Sequence, residues 1–230
     1  MPQRSVTPST IANFLAILLS TFLAAAAAPA AAQQPPIHLN SPSGKLRATI
    51  LGDVDGAHHL AWSLQLNGKT IVLPSSLGID IASADLGQDV QLGAPVLSTN
   101  NTSYPWKGVH NIATDHYRQA LIPVTQNHTG IRYTLECRVF DDGFAFRYIV
   151  RPHPSQITNG SPSSITNDEP GSLVTGESTS WHLPAGSKVW YQENVYYYEG
   201  LHYTSLIENL GAKQLGPPVT YQTTDGYYAS

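Results

Sequence analysis

The stretch Arg138-Val-Phe-Asp-Asp-Gly-Phe-Ala-Phe-Arg-Tyr148 constrains the fold more tightly than any other part of the chain. Residues alternate in character on both sides of Asp142-Gly143, a dipeptide suited to a two-residue hairpin loop because both positions favour positive φ. That loop predicts Val139 opposite Phe146, Cys137 opposite Tyr148, and Leu135 opposite Val150, giving one continuous apolar face. On the other face it sets Arg138 against Arg147. Two guanidinium groups repel, so a shared carboxylate is required, and Glu136 is the candidate.

Other short alternating runs follow the same logic. Residues 46–51 end at Asp53-Val-Asp-Gly56, and residues 60–66 end at Asn67-Gly68, a second turn of the type I′ kind. Strands are expected at 70–73, 77–81, 120–125 and 131–140, with a looser region from 82 to 101. No apolar repeat at helical spacing persists over three turns. Many short strands with regular turns read as a sandwich or barrel, all-β and antiparallel. Residues 152–171, rich in Pro, Ser, Asn and Gly, read as a surface loop within one domain.

Residues 1–32 have the pattern of a secretory signal: Arg4, an apolar core from Phe14 to Leu23, and Ala30-Ala-Ala32 as a cleavage site. The apolar stretch is short for a membrane span of about 20 residues. A secreted or periplasmic chain is therefore expected, with an extended leader at 33–40 and a domain at 41–230. The formal charge of −4 becomes −5 without Arg4, and no basic patch suits nucleic acid. Cys137 is the single cysteine, so no internal disulfide forms; its place on the apolar face marks it as a small core residue.

The hairpin also resembles the R-(V/L)-(F/Y)-(D/N)-D-G-x-x-F-R-Y element of glycoside hydrolase family 97, α-glucosidases and α-galactosidases with a β-sandwich ahead of a catalytic barrel. Further blocks agree in order. Ser41-Pro-Ser-Gly-Lys-Leu46 resembles the opening strand, and Leu73-Pro-Ser-Ser-Leu-Gly-Ile-Asp80 the P-S-x-L-G segment. Trp106 with Asp115-His-Tyr-Arg118, Trp181-His-Leu-Pro184 with Ser187-Lys-Val-Trp-Tyr-Gln-Glu193, and Thr224-Asp-Gly-Tyr-Tyr228 complete the set. The resemblance spans residues 41–230.

It implies a galactose-mutarotase-like super-sandwich, incomplete at its C-terminal end, that acts on carbohydrate beside a barrel absent from this sequence. A glycosidase needs paired carboxyl groups across the scissile bond, and the family takes both from the barrel, so this chain is expected to be inert alone. The family's sandwich supplies one carboxylate to calcium. By position that ligand is Glu193, with Glu199 as the competing residue and Glu208 a weaker third. Calcium takes about six to eight oxygens, so the remaining ligands must come from the barrel.

Trp190, Tyr191, Tyr196, Tyr197, Tyr198 and Tyr203 form the densest aromatic cluster, with His182 and His202 at its margins. Aromatic faces stack on sugars, yet the same residues also suit a sandwich core. None of the histidines, His58-His59 included, has metal-ligand spacing. The alternatives to a glycosidase domain are a stand-alone secreted carbohydrate-binding module and a sandwich with no ligand. An open reading frame continuing into a barrel would favour the first of the three.

Overall fold

The computed structural model describes residues 34–54, 56–81, 84–150, 174–196 and 199–230. The expected signal segment, the loop at 152–171, Tyr197 and Tyr198 lie outside these described residues. The described chain is built of antiparallel strands, and its one helical element is the 3₁₀ turn Ile207–Asn209.

One sheet runs in the order β1-β2-β3-β4, from Ile37–Asn40, Leu46–Leu51, Ala61–Leu66 and Lys69–Ser76. Residues 37–40, expected as leader, are thus an edge strand paired with β2. Asn67 and Gly68 join β3 to β4 with φ of 51° and 77°, as a type I′ turn demands. A small sheet follows, with β5 (Ile79–Ile81) and β6 (Ala84–Asp85) beside β12 (Val174–Glu177). The second large sheet has β7 (Val90–Leu92) and β8 (Val96–Pro105) on one side of β9 (Ile112–Gln126). On the other side lie β10 (Arg132–Val139) and β11 (Phe144–Val150). The last sheet holds β13 (Lys188–Gln192), β14 (Tyr203–Leu206), β15 (Gly216–Gln222) and β16 (Tyr228–Ala229).

Strict alternation explains which faces are buried. Leu46, Ala48 and Ile50 of β2 and Tyr133, Leu135, Cys137 and Val139 of β10 all point into one core. Each large aliphatic side chain there contributes roughly 1.5–3 kcal/mol through burial. Trp62 of β3 joins the layers: it stacks on Phe144 at 5.3 Å, lies 6.1 Å from Phe146, and meets Trp181 edge-on at 6.0 Å. The Cys137 thiol is completely buried, which pushes its pKa up to about 12. It is a core residue, as its place on the apolar face requires.

The hairpin forms, but its register differs from the expected one. Val139 faces Phe144, Cys137 faces Phe146, Leu135 faces Tyr148, and Arg138 faces Ala145 rather than Arg147. Asp141 and Asp142 occupy the loop, closed by the Phe140 N–H donating to the Gly143 carbonyl at 2.8 Å, and Gly143 does not take positive φ. A tertiary contact accounts for this choice: the Asp141 carboxylate accepts the Ser43 N–H at 2.8 Å. The shift is by two residues, so every side chain keeps its face, whereas a shift by one would have inverted them all. Although not directly opposed, the two arginines share Glu136. Arg138 Nε donates to Oε1 at 2.8 Å and Arg147 Nε to Oε2 at 2.5 Å.

Within the expected looser region, residues 84–101 carry regular strands. They include β6, β7 and the first half of β8, which with β9 makes a long ribbon paired from Val96–Leu121 to Pro105–Ile112. Its sequence carries no apolar alternation because both faces of its outer half are wet, with nearly every β8 side chain exposed.

Candidate functional site

The candidate site lies where β13 runs out. Alternation along β13 buries Val189 and Tyr191 and turns Trp190 to the opposite face, where it packs on Tyr228 at 5.9 Å beneath the Lys188 ammonium. The aromatic cluster is therefore divided. Tyr191 belongs to the core, Trp190 to the far face, and Tyr203 leans on Tyr191 at 5.8 Å while remaining 45% exposed. Tyr196 projects almost fully into solvent.

At the strand end, the buried Gln192 side chain accepts the Asn194 N–H at 2.8 Å, and the Asn194 side-chain oxygen accepts the Tyr196 N–H at 3.1 Å. This pair of short bonds turns the chain sharply. Gly216 of β15 lies so close that a Cβ there would collide with the Asn194 carbonyl oxygen and the Gln192 amide. Glu193, Asn194, Val195, Tyr196, Gly200, Leu201 and Tyr203 then enclose an open depression of about 510 Å³.

Glu193 stands on its rim, half exposed, with Oε1 accepting a hydrogen bond from Lys213 Nζ at 2.6 Å. That bond holds the Lys213 amine above its ordinary pKa, outweighing the opposing effect of desolvation. Lys213 also lies 5.7 Å from the Tyr191 ring. Sequence reasoning missed this lysine, which follows Glu193 by 20 residues in a stretch without pattern.

Of the other candidates, Glu199 is exposed and does not line the depression. Glu208 accepts a hydrogen bond from the Gly186 N–H, which lowers its pKa and occupies it structurally. His182 is part of the framework: it bridges to Leu73, its N–H donates to Ser75 Oγ at 2.8 Å, and its Nδ1 lies 3.0 Å from the Pro74 carbonyl oxygen. His202 is exposed outside the depression. His59 pairs with Asp85 at 3.1 Å, while His58 points elsewhere with φ of 51°.

Among the described residues, no group of three or more His, Cys, Asp or Glu side chains converges as a metal cage. One outward carboxylate offers at most two oxygens, so Glu193 fits a calcium ion only as one contributor among several.

Residues 39–230 match the model of the glycosyl-hydrolase 97 N-terminal family. The chain is 27% identical over 195 residues to a probable retaining alpha-galactosidase of Streptomyces bingchenggensis (strain BCW-1), covering 81% of this chain and 27% of that protein. It superposes on a glycoside hydrolase family 97 enzyme from Pseudoalteromonas sp. strain K8, solved in complex with panose, with a TM-score of 0.67 at 18% identity; the match covers 84% of this chain and 27% of that one. A crystal structure of a beta-arabinopyranosidase gives 0.66 at 16%, covering 81% and 29% respectively. The chain thus spans little more than a quarter of the length of these relatives. By its match over residues 39–230, the chain belongs to the glycosyl-hydrolase 97 N-terminal family.

Proposed function

We propose that this chain serves as the sandwich domain of a secreted α-glycosidase, where it closes one wall of a sugar cleft and directs Glu193 toward a calcium ion. The observation that carries this reading is the position of Glu193. It projects from a strand end onto the rim of a depression walled by Tyr196, Leu201 and Tyr203, with only Oε1 engaged by Lys213. The Asn194 N–H bond to Gln192 Oε1 sets the backbone from which Glu193 projects, and the hydrogen bond from Lys213 holds one oxygen of its carboxylate. The tyrosines offer apolar ring faces with polar edges, the combination that suits pyranose rings.

Calcium, when bound, would supply positive charge beside the sugar. Glu193 would contribute a carboxylate, and the other oxygens would come from a catalytic domain. The two catalytic carboxyl groups would also come from that domain, so the chain alone would hydrolyse neither p-nitrophenyl α-glucoside nor α-galactoside. Secretion would follow from the signal-like residues 1–32.

The test uses the longer enzyme and this chain side by side. Glu193→Gln should lower calcium affinity and activity together, with added calcium restoring part of the loss, while Glu199→Gln should do much less. The chain alone should bind calcium at about millimolar or weaker. A calcium-reversible defect in Glu199→Gln and none in Glu193→Gln would transfer the role to Glu199.

A stand-alone carbohydrate-binding module is the second reading, favoured by the near-complete exposure of Tyr196 at the depression. Calorimetric titration of this chain with maltose and melibiose separates the two. Saturable binding that Tyr196→Ala abolishes would favour the module.

A further inference from the structure

We infer that β8 is a self-pairing edge, and that two copies of this chain associate through it, antiparallel about a two-fold axis with Asn100 facing Asn100. The inference does not depend on the glycosidase reading.

The first observation is that this edge is unprotected. β8 pairs only with β9, leaving its other side free of any strand among the described residues. With 10 residues it is the longest edge strand described, and Val96-Leu-Ser-Thr-Asn-Asn-Thr-Ser-Tyr-Pro105 contains no charge and no proline before its last position. The other long edges carry the usual deterrents to pairing, with Lys69 and Pro74 on β4 and Arg147 on β11. Among the described residues no second layer covers the ribbon. Side chains on both faces of its outer half are mostly exposed, and a two-stranded ribbon is marginal in water by itself.

The second observation selects the occupant. A strand that pairs with itself in antiparallel fashion must carry a pattern that survives reversal. Here a polar centre, Ser98-Thr-Asn-Asn-Thr-Ser103, is flanked by Val96 and Leu97 at one end and Tyr104 at the other. These flanking residues are 63%, 62% and 47% exposed. Antiparallel pairing brings the base of one ribbon to the tip of the other, so Val96 at one end can meet Tyr104 at the partner copy's opposite end.

The register follows from symmetry. Opposed residues in a continuous sheet share a face, so a two-fold axis normal to the sheet must set one residue against its own copy. Centring on Asn100 pairs Val96 with Tyr104 and Ser98 with Thr102 on one face. On the other it pairs Leu97 with Ser103 and Thr99 with Asn101. A β-branched side chain against an aromatic ring and a hydroxyl against a hydroxyl are favourable cross-strand pairs. Centring on Asn101 instead sets Ser98 against Tyr104 and leaves Val96 outside the ladder.

Sedimentation equilibrium of the full chain over increasing concentration tests the association. The weight-average mass should rise from one chain toward two. In the double variant Ser98→Lys/Thr102→Lys, which places lysines directly opposite each other at both ends, the mass should stay at one. Disulfide trapping tests the register. Asn100→Cys should cross-link to a dimer in glutathione disulfide, because residues facing themselves have Cα atoms within disulfide range, while Thr102→Cys should not. Cys137 is buried and leaves that readout clean. Should the lysine variant lose its far-UV spectrum, the contrast between the two cysteine variants decides. A mass of one chain up to about millimolar concentration, a dimer that survives the lysines, or equal trapping of both cysteines would each overturn the inference. So would finding this edge occupied by another segment of the longer enzyme.

Discussion

Glu136 lies directly across the strand pair from Arg147, and its carboxylate accepts the Arg147 Nε–H at one oxygen while Arg138 holds the other. The carboxylate is almost completely buried although it lies on the outer face of the sheet, because the two arginines cover it. Arg138 is itself placed by Gln119 at 3.0 Å and by the Tyr117 ring, 4.5 Å from its guanidinium carbon. Glu136 joins β10 to β11, and Arg138 carries the link on to Gln119 of β9.

Replacing Glu136 by Ala should therefore destabilise the fold by about 2 kcal/mol, the scale of losing a charge-assisted hydrogen bond. The figure stays moderate because Arg147 is largely exposed and water can take over its unpaired guanidinium. Urea denaturation of the two proteins measures it. Equal midpoints would mean that the cluster is ornamental.

The same carboxylate sets an acid limit. Burial alone would raise its pKa, but the hydrogen bond from Arg147 and the charge of Arg138 outweigh burial and hold it below 4.5. The unfolded chain then binds the proton more readily, so stability from Glu136 is complete above about pH 4.5 and is lost as pH falls through the lower folded value. Melting temperatures followed from pH 6 to pH 3 should fall less steeply for Glu136→Gln than for the natural protein. Parallel curves would refute the linkage.

Cys137 should resist modification in the native protein. Its burial raises the thiol pKa to about 12, so thiolate is scarce at neutral pH and reagent has no access to it. Reaction with Ellman's reagent should wait for unfolding and become fast in urea. Stoichiometric labelling within minutes in buffer alone would contradict this packing.

Gly216→Ala should cost roughly 1–3 kcal/mol, because the new methyl group overlaps a backbone oxygen that cannot rotate away. The Gln192–Asn194 turn would have to shift, moving Glu193 with it. A change in the Lys213 side-chain resonances at unaltered global fold would report that movement, and a variant as stable as the parent would remove Gly216 from the site's framework.

Face assignment was legible in the sequence, while strand register was not. Alternation alone places Leu135, Cys137 and Val139 inward, and it would do so in either register. The loop depends on Asp141 meeting Ser43, a contact 98 residues distant that no local preference can reveal. Asn67-Gly68 was fully legible because both residues needed positive φ and nothing distant opposed them. The β8–β9 ribbon escaped notice because the code for a strand is an apolar face, and a ribbon wet on both sides has none. At the candidate site, the strand-end position of Glu193 could be read from its block. The parity that divides Trp190 from Tyr191 was present in the same five residues.

The Trp62 indole N–H donates to the Ser180 carbonyl across 118 residues, and the Tyr221 hydroxyl donates to the Ile71 carbonyl across 150. Contacts so remote must wait for the chain that completes them. As the chain emerges N-terminus first, β1 to β4 can pair early, but their inner faces stay partly uncovered until Ser180 and then Tyr221 have followed. High contact order of this kind slows folding and prolongs exposure of apolar surface. Assembly of this domain should depend on how quickly the β13–β15 segment arrives, making those late strands the step at which chaperones have most to protect.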